Sequence, residues 1–222
     1  MTAPRKLVLA SVSPRRTSLL QRLGLELVVA PVDVDESPQP GELPLLVPLR
    51  LAQAKAQKAQ TCYPQWPVLA ADTVVILDGR VLGKPSDREE AQAMLSDLRG
   101  RTHLVATAVA LAYLNRQAHH VEVAKVTFSR FPRSLLAWYL AGEEWKDKAG
   151  AYAIQGQGAL FVAGVQGNVQ AVVGLPLAPL PTLFSRVGLA LEPVGNLLSL
   201  VPRNAPAPPA PASESWQRCG DH

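Results

Sequence analysis

Cysteine is nearly absent from this sequence: Cys62 and Cys219 are the only two among 222 residues. That count excludes a disulfide framework and a cysteine-based zinc site. The four histidines, His103, His119, His120 and His222, show no metal-ligand spacing. Aromatic residues make up 5% of the chain and form no stripe with basic ones, which argues against a nucleic-acid binder. No apolar run reaches the ~18 residues of a membrane span. The apolar stretch before Ser11 is too short for a signal peptide. A cytoplasmic protein with no membrane partner is the expectation.

Charge of one sign is also scarce. Twenty-two basic and eighteen acidic residues leave a net +4. The excess is spread along the chain and suits an anionic small molecule at least as well as nucleic acid. Proline, in contrast, is abundant: six of the twenty fall within residues 192–222, where Ala and Ser offer little to bury. The expected organisation is a single domain over residues 1–190, followed by a Pro/Ala-rich, disordered tail over residues 191–222.

Within the domain, strand and helix patterns alternate. Short apolar runs at 6–10 and 25–31 predict strands, and residues 14–23 and 46–60 predict helices. Residues 68–71 and 73–77 are strand material, turned by Asp78-Gly79 into a return at 80–82. A helix at 87–98 precedes two long strands at 103–114 and 121–129, joined through His119-His120. Beyond them a helix is expected at 132–141, strands at 159–165 and 171–173, and a last helix at 177–189. The class is α/β, and the central meander indicates a mixed sheet.

Five segments carry chemistry. In Ser11-Val-Ser13-Pro14-Arg15-Arg16 a buried strand passes directly into a helix. Ser13 suits the N-cap and Pro14 the first helical position. The free N–H groups, two hydroxyls and two guanidiniums would make a phosphate site; the alternative is a capped helix with a solvated Arg pair. Asp33, Asp35 and Glu36 are either carboxylates for a hard divalent ion or a solvated acidic turn. Asp72 lies among apolar residues, where a carboxylate needs a cation or a reaction to serve, unless it marks a turn. Gly83-Lys84-Pro85 holds a lysine on a constrained backbone that suits phosphate or forms a plain turn. Residues 147–158 are rich in Gly and Ala, and Gln155 could meet a base edge from what is otherwise a flexible loop.

The ordered set S-x-S-P-R-R, D-x-D-E, R-L-A-x-x-K-A, A-D-T-V-V, L-G-K-P, G-R-T-H, D-K-A-G-A-Y-x-I-Q-G and V-V-G-L-P-L resembles the Maf (septum-formation protein) family of nucleotide pyrophosphatases. The resemblance covers residues 7–184. It implies an elongated, two-lobed, mixed α/β sheet with flanking helices, of the inosine-triphosphatase-like fold. It also implies cleavage of a nucleoside triphosphate to the monophosphate and diphosphate, with roles in sanitising nucleotide pools or in cell-division arrest. It assigns the proton acceptor to Asp72 and the specificity positions to Arg15, Thr73 and Gln155. Ser13, Arg16, Lys55 and Lys84 become phosphate ligands, and Glu36 a ligand for Mg²⁺ or Mn²⁺. Asp72-Thr73 and Ile154-Gln155-Gly156 side with the dTTP/UTP branch. The alternatives are 7-methyl-GTP as substrate, or a non-catalytic nucleotide-sensing regulator of septum formation. Where the family carries Ser-Tyr before its last motif, this chain has Asn168-Val169. A nucleoside triphosphate is the implied partner, stable nucleic acid is not, and a homodimer is left open.

Overall fold

The structure is a computed structural model that describes residues 6–37, 39–195 and 197–203. The first apolar run forms strand β1 (Lys6–Leu9), and helix α1 (Pro14–Arg22) returns the chain to strand β2 (Glu26–Val29), parallel to β1. Helix α2 (Val47–Cys62) then crosses to strand β3 (Val68–Leu77), parallel to β1 on its other side. Parallel neighbours require such crossovers, and the two helices supply them.

From β3 onward the pairing is antiparallel. Asp78 and Gly79 both adopt left-handed φ, 50° and 76°, which turns β3 tightly into β4 (Arg80–Leu82). Helix α3 (Arg88–Leu98) follows, capped by the Asp87 carboxylate, which accepts from the Glu90 N–H at 2.7 Å. The long strands β5 (Thr102–Tyr113) and β6 (Arg116–Phe128), helix α4 (Arg133–Ala141) and strand β7 (Val162–Gln166) complete the sheet. Among the described residues its order is β2-β1-β3-β5-β6-β7, with β4 beside β3. This is the mixed α/β class that the strand pattern predicts.

Alternation along β3 sets out the interior. Leu69 and Ala71 join a core formed with Leu20, Leu183 and Phe184, whereas Val75 and Leu77 join a second core with Leu95, Tyr139 and Phe161. All four β3 residues share one face of the sheet, because side chains repeat every second residue. Thr73 falls between the two cores. On the opposite face Ala70 packs with Ala52, Ala56 and Ala59, a layer of small side chains that lets α2 approach closely, and Val74 begins another cluster. Asp72 falls between those. The cores on the first face part at Thr73 and the clusters on the other part at Asp72, and the cleft opens at that level of β3.

Several local expectations change. Residues 68–77 are one continuous strand, so Asp72 is not a turn residue. His119 and His120 lie inside β6 rather than between strands. The apolar residues expected as a strand at 171–173 belong to a short helix, α5 (Val169–Val173). Asn168 caps it by accepting from the Gln170 N–H at 2.9 Å, and Gly174 ends it at φ 112°. Asn thereby does the capping that a Ser would do at this place. Residues expected as a strand from 159 begin instead with a 3₁₀ turn, Gln157–Phe161. The last expected helix is shorter, α6 (Leu180–Arg186), and is followed by a hairpin of β8 (Leu189–Val194) and β9 (Leu197–Pro202). Leu200 joins the first core, so ordered structure crosses the boundary expected at residue 190. Residues 204–222, which hold most of the expected tail, lie outside the described residues.

One buried group has a measurable consequence. His103 is 2% exposed, packs edge-on to Phe128 and Tyr152, and shares a 2.9 Å hydrogen bond with the Tyr152 hydroxyl. Burial pushes its pKa down to about 4 from 6.5. Between those values the unfolded chain takes up a proton that the folded chain refuses, so stability falls as pH drops from about 6.5 towards 4. The loss is on the order of 2–3 kcal/mol. A pH series of thermal melts should show this decline in the wild type and a shallower one in His103→Gln. Parallel curves would remove His103 as its source.

Candidate active site

The cleft encloses about 650 Å³. Five of the stretches of chain that line it place eight of the nine candidate residues on its wall, and residues 147–149 and 172–173 add to the lining. Ser13, Arg15 and Arg16 come from the β1–α1 junction, Glu36 from the loop after β2, and Lys55 from α2. Asp72 and Thr73 come from β3, and Lys84 from the turn after β4. Gln155 is the exception: it stands exposed on the turn before the 3₁₀ segment and does not line the cleft.

Ser13 occupies the N-cap position of α1, with extended backbone, but its hydroxyl makes no cap hydrogen bond. The cap expected there is therefore not formed. Instead the Ser13 N–H donates to Ser11 Oγ at 3.2 Å. The first N–H groups of α1 have no acceptor within the helix and carry the positive end of its dipole. An anion in the cleft meets that end.

Arg16 is a brace. Its Nε donates to the Gly174 carbonyl at 2.8 Å, one terminal nitrogen to Ser11 Oγ at 3.1 Å, and the other to Thr73 Oγ1 at 3.0 Å. Burial pulls its pKa down to about 10, with Asp72 opposing, so it stays charged at neutral pH. Each terminal nitrogen keeps one further N–H. Gly174 is required here, since a Cβ would stand 3.3 Å from Thr73 Oγ1 on a backbone with φ 112°. Arg15 differs. Its Nε is buried without a hydrogen-bond partner, and burial lowers its pKa while Glu144 opposes. An unpaired buried guanidinium N–H favours an incoming anion.

On the other face of β3, Lys55 joins two carboxylates. Its Nζ lies 2.7 Å from Asp72 Oδ1 and 2.6 Å from Glu36 Oε1, and Lys84 Nζ lies 3.6 Å from Glu36 Oε2. Burial acts to lower the Lys55 pKa, but the two carboxylates outweigh it and the net shift is upward. Burial would raise the Glu36 carboxyl; its lysine partners hold it below the usual range. Lys55 is bonded to Asp72 Oδ1, and no described side chain donates to Asp72 Oδ2.

Three contributions were not assigned from the sequence. Arg50 grips Glu42 with two bonds of 2.7 and 2.8 Å and also donates to the Ser37 carbonyl at 3.1 Å. It thereby holds the loop that carries Glu36 against α2. Glu144 accepts from the N–H groups of Gln157 and Gly158, both at 2.8 Å, and fixes the turn that follows Gln155. Thr107 sits fully buried opposite Thr73 on β5. A polar residue within an apolar strand was the signal that singled out Asp72, and it applies equally to Thr107.

The arrangement defines a class: an α/β protein with a cleft in which a helix N-terminus, arginines and lysines meet the carboxylates of Glu36 and Asp72. Comparison with known proteins makes this specific. Residues 6–187 match the family described as Maf-like protein, and the chain belongs to that family. It is 49% identical over 185 residues to a dTTP/UTP pyrophosphatase of Myxococcus xanthus, covering 83% of this chain and 94% of that protein. The dTTP/UTP pyrophosphatase of Pyrococcus furiosus is 40% identical over 173 residues, covering 78% of this chain and 90% of that protein.

Proposed function

We propose that this protein is a nucleoside triphosphate pyrophosphatase acting on dTTP and UTP. The observation that carries the reading is Asp72, a buried carboxylate on the wall of a cleft lined with cations, with one oxygen held by Lys55. The names of the related proteins supply the substrates.

In this mechanism the triphosphate lies across the cleft. Arg15, Ser13, the second N–H groups of Arg16 and the start of α1 bind its oxygens. Lys55 and Lys84 place fixed charge where negative charge grows. Asp72 Oδ2 orients a water and takes its proton as the oxygen attacks the α-phosphorus. The α–β bridging bond breaks, and the products are the nucleoside monophosphate and diphosphate. Thr73 meets the base edge. Gln155, on the exposed turn, would need that turn to move inward to do the same.

Mg²⁺ or Mn²⁺ fits this cleft as an ion that arrives with the substrate. Among the described residues no three His, Cys, Asp or Glu side chains gather into a protein cage. Such ions are commonly held by one or two carboxylates plus substrate phosphates. Glu36 would hold it, and the ion would supply neutralising charge on the phosphates. No helix among the described residues is long and apolar enough to cross a membrane. The reading places the enzyme in the cytoplasm, with the nucleotide pool it acts on.

The test is product analysis with dTTP, UTP, CTP and 7-methyl-GTP, with and without excess chelator. Monophosphate and pyrophosphate from dTTP and UTP, lost on chelation, are expected. A preference for 7-methyl-GTP would select the other branch of the family. Undiminished turnover in chelator would remove the metal.

A further inference from the structure

Behind the cleft wall, a row of hydrogen bonds runs from Arg16 to the backbone of α5. The Thr107 hydroxyl donates to the Ala171 carbonyl at 2.7 Å. A carbonyl can only accept, so the single proton of Thr107 is committed there. Thr107 Oγ1 also lies 2.8 Å from Thr73 Oγ1. With its own proton spent, Thr107 must accept in that contact, and the proton of Thr73 is committed to it. Arg16 donates to Thr73 Oγ1 at 3.0 Å and fills one of its two lone pairs. Thr73 therefore presents the cleft with one lone pair and no proton.

We infer that Thr107 is a positioning residue for base choice: it makes Thr73 an acceptor only, so that, facing ring position 3 of a pyrimidine, it selects a base that carries its N–H donor there. This rests on the proposed role of Thr73 at the base. Thymine and uracil carry carbonyl acceptors at positions 2 and 4, and N3–H is the one donor between them. Cytosine carries its donor on the exocyclic amino group at position 4 and presents a bare acceptor nitrogen at position 3, which would face the Thr73 lone pair without a proton between them. Thr107 is 0% exposed and does not line the cleft, so it acts only through Thr73. The same row ties the hydroxyl to α5, to Gly174 through Arg16, and to the start of α1 through Ser11, which leaves Thr73 little freedom to turn.

Thr107→Val keeps the shape and removes both the proton and the lone pairs. Freed from Thr107, the Thr73 hydroxyl can rotate and donate to cytosine. The measurements are kcat/KM for UTP and CTP, and calorimetric binding of UMP and CMP. Wild type should favour the uracil form in both. Thr107→Val should lower that preference by about tenfold or more, chiefly through KM for CTP, while Thr107→Ser restores it. Thr73→Val, which removes the acceptor itself, should lose the preference too and serves if Thr107→Val does not fold. Preference for 7-methyl-GTP should not follow these changes, since guanine keeps donors at ring N1–H and at its exocyclic amino group. A folded Thr107→Val or Thr73→Val that keeps the wild-type ratio overturns the inference, as does a Thr107→Ser that fails to restore it. Uracil-selective binding that depends on Thr107, without pyrophosphate release, would remove the activity and leave the inference. Pyrophosphate release with equal kcat/KM for UTP and CTP would do the reverse.

Discussion

Asp72→Asn should keep the wild-type fold and lose about 10²–10⁴-fold in kcat for dTTP and UTP. The fold survives because Asn matches Asp in shape, and its amide oxygen can still accept from Lys55, now 2.7 Å from Asp72 Oδ1. Lys55 also retains its second anion, Glu36. What disappears is a carboxylate able to take a proton from water. Binding of the triphosphate should change much less, since the cations of the cleft are untouched. The loss therefore falls on kcat more than on KM. Thermal melts and pyrophosphate release measured side by side decide the matter. A folded Asp72→Asn with wild-type turnover would falsify the role.

Lys55→Met is expected to lower kcat/KM by about 10²–10³-fold, the size found when one donor that stabilises a transition state is removed. The argument has two parts. Among the described residues Lys55 alone is bonded to both Asp72 and Glu36, at 2.7 and 2.6 Å, so its removal leaves Asp72 without its ion pair and Glu36 with Lys84, at 3.6 Å, in a half-buried cleft. Breaking an ion pair by deleting one partner is costly because the other charge stays behind. Glu36, which Lys55 helps to hold below the usual carboxylate range, should then protonate at higher pH, and the acid limb of the pH–rate profile should move to higher pH with it. The substrate also loses a fixed positive charge. Lys55→Arg keeps the charge but not the compact ammonium between two oxygens, and should recover part of the rate. An unchanged acid limb in Lys55→Met would show that Lys55 serves the phosphates alone.

Much of this site is legible along the chain. Asp72 stands out as a charge inside an apolar run, and Ser13, Pro14 and the paired arginines mark a helix start beside a strand end. The elements that carry them form nearly where the periodicity places them. The misplaced elements share a physical cause. Residues 171–173, Ala-Val-Val, are apolar and mostly β-branched and resemble a strand, but Asn168 and Gly174 flank residues 169–173 and impose a helical turn. The residues around 190–202 look too rich in proline for a sheet, yet Pro193 and Pro202 lie in a two-stranded hairpin with free edges, where a missing N–H costs little. Gln155 follows from its motif but not from its position, because the loop conformation is fixed by Glu144, a contact between distant parts of the segment.

The sequence by itself determined the α/β class, the strand that bears Asp72 and the family, because periodicity and ordered motifs are local properties of the chain. Only the tertiary structure decided which groups meet. Asp72 and Thr73 are neighbours in sequence but point to opposite faces of β3. One joins Lys55 and Glu36, the other joins Arg16 and Thr107. The committed proton of Thr73 depends on partners 57 and 34 residues away and, through Thr107, on a carbonyl 64 residues beyond that. Hydrogen-bond direction is set by the last acceptor in the row, and no local pattern in the sequence encodes where that acceptor lies.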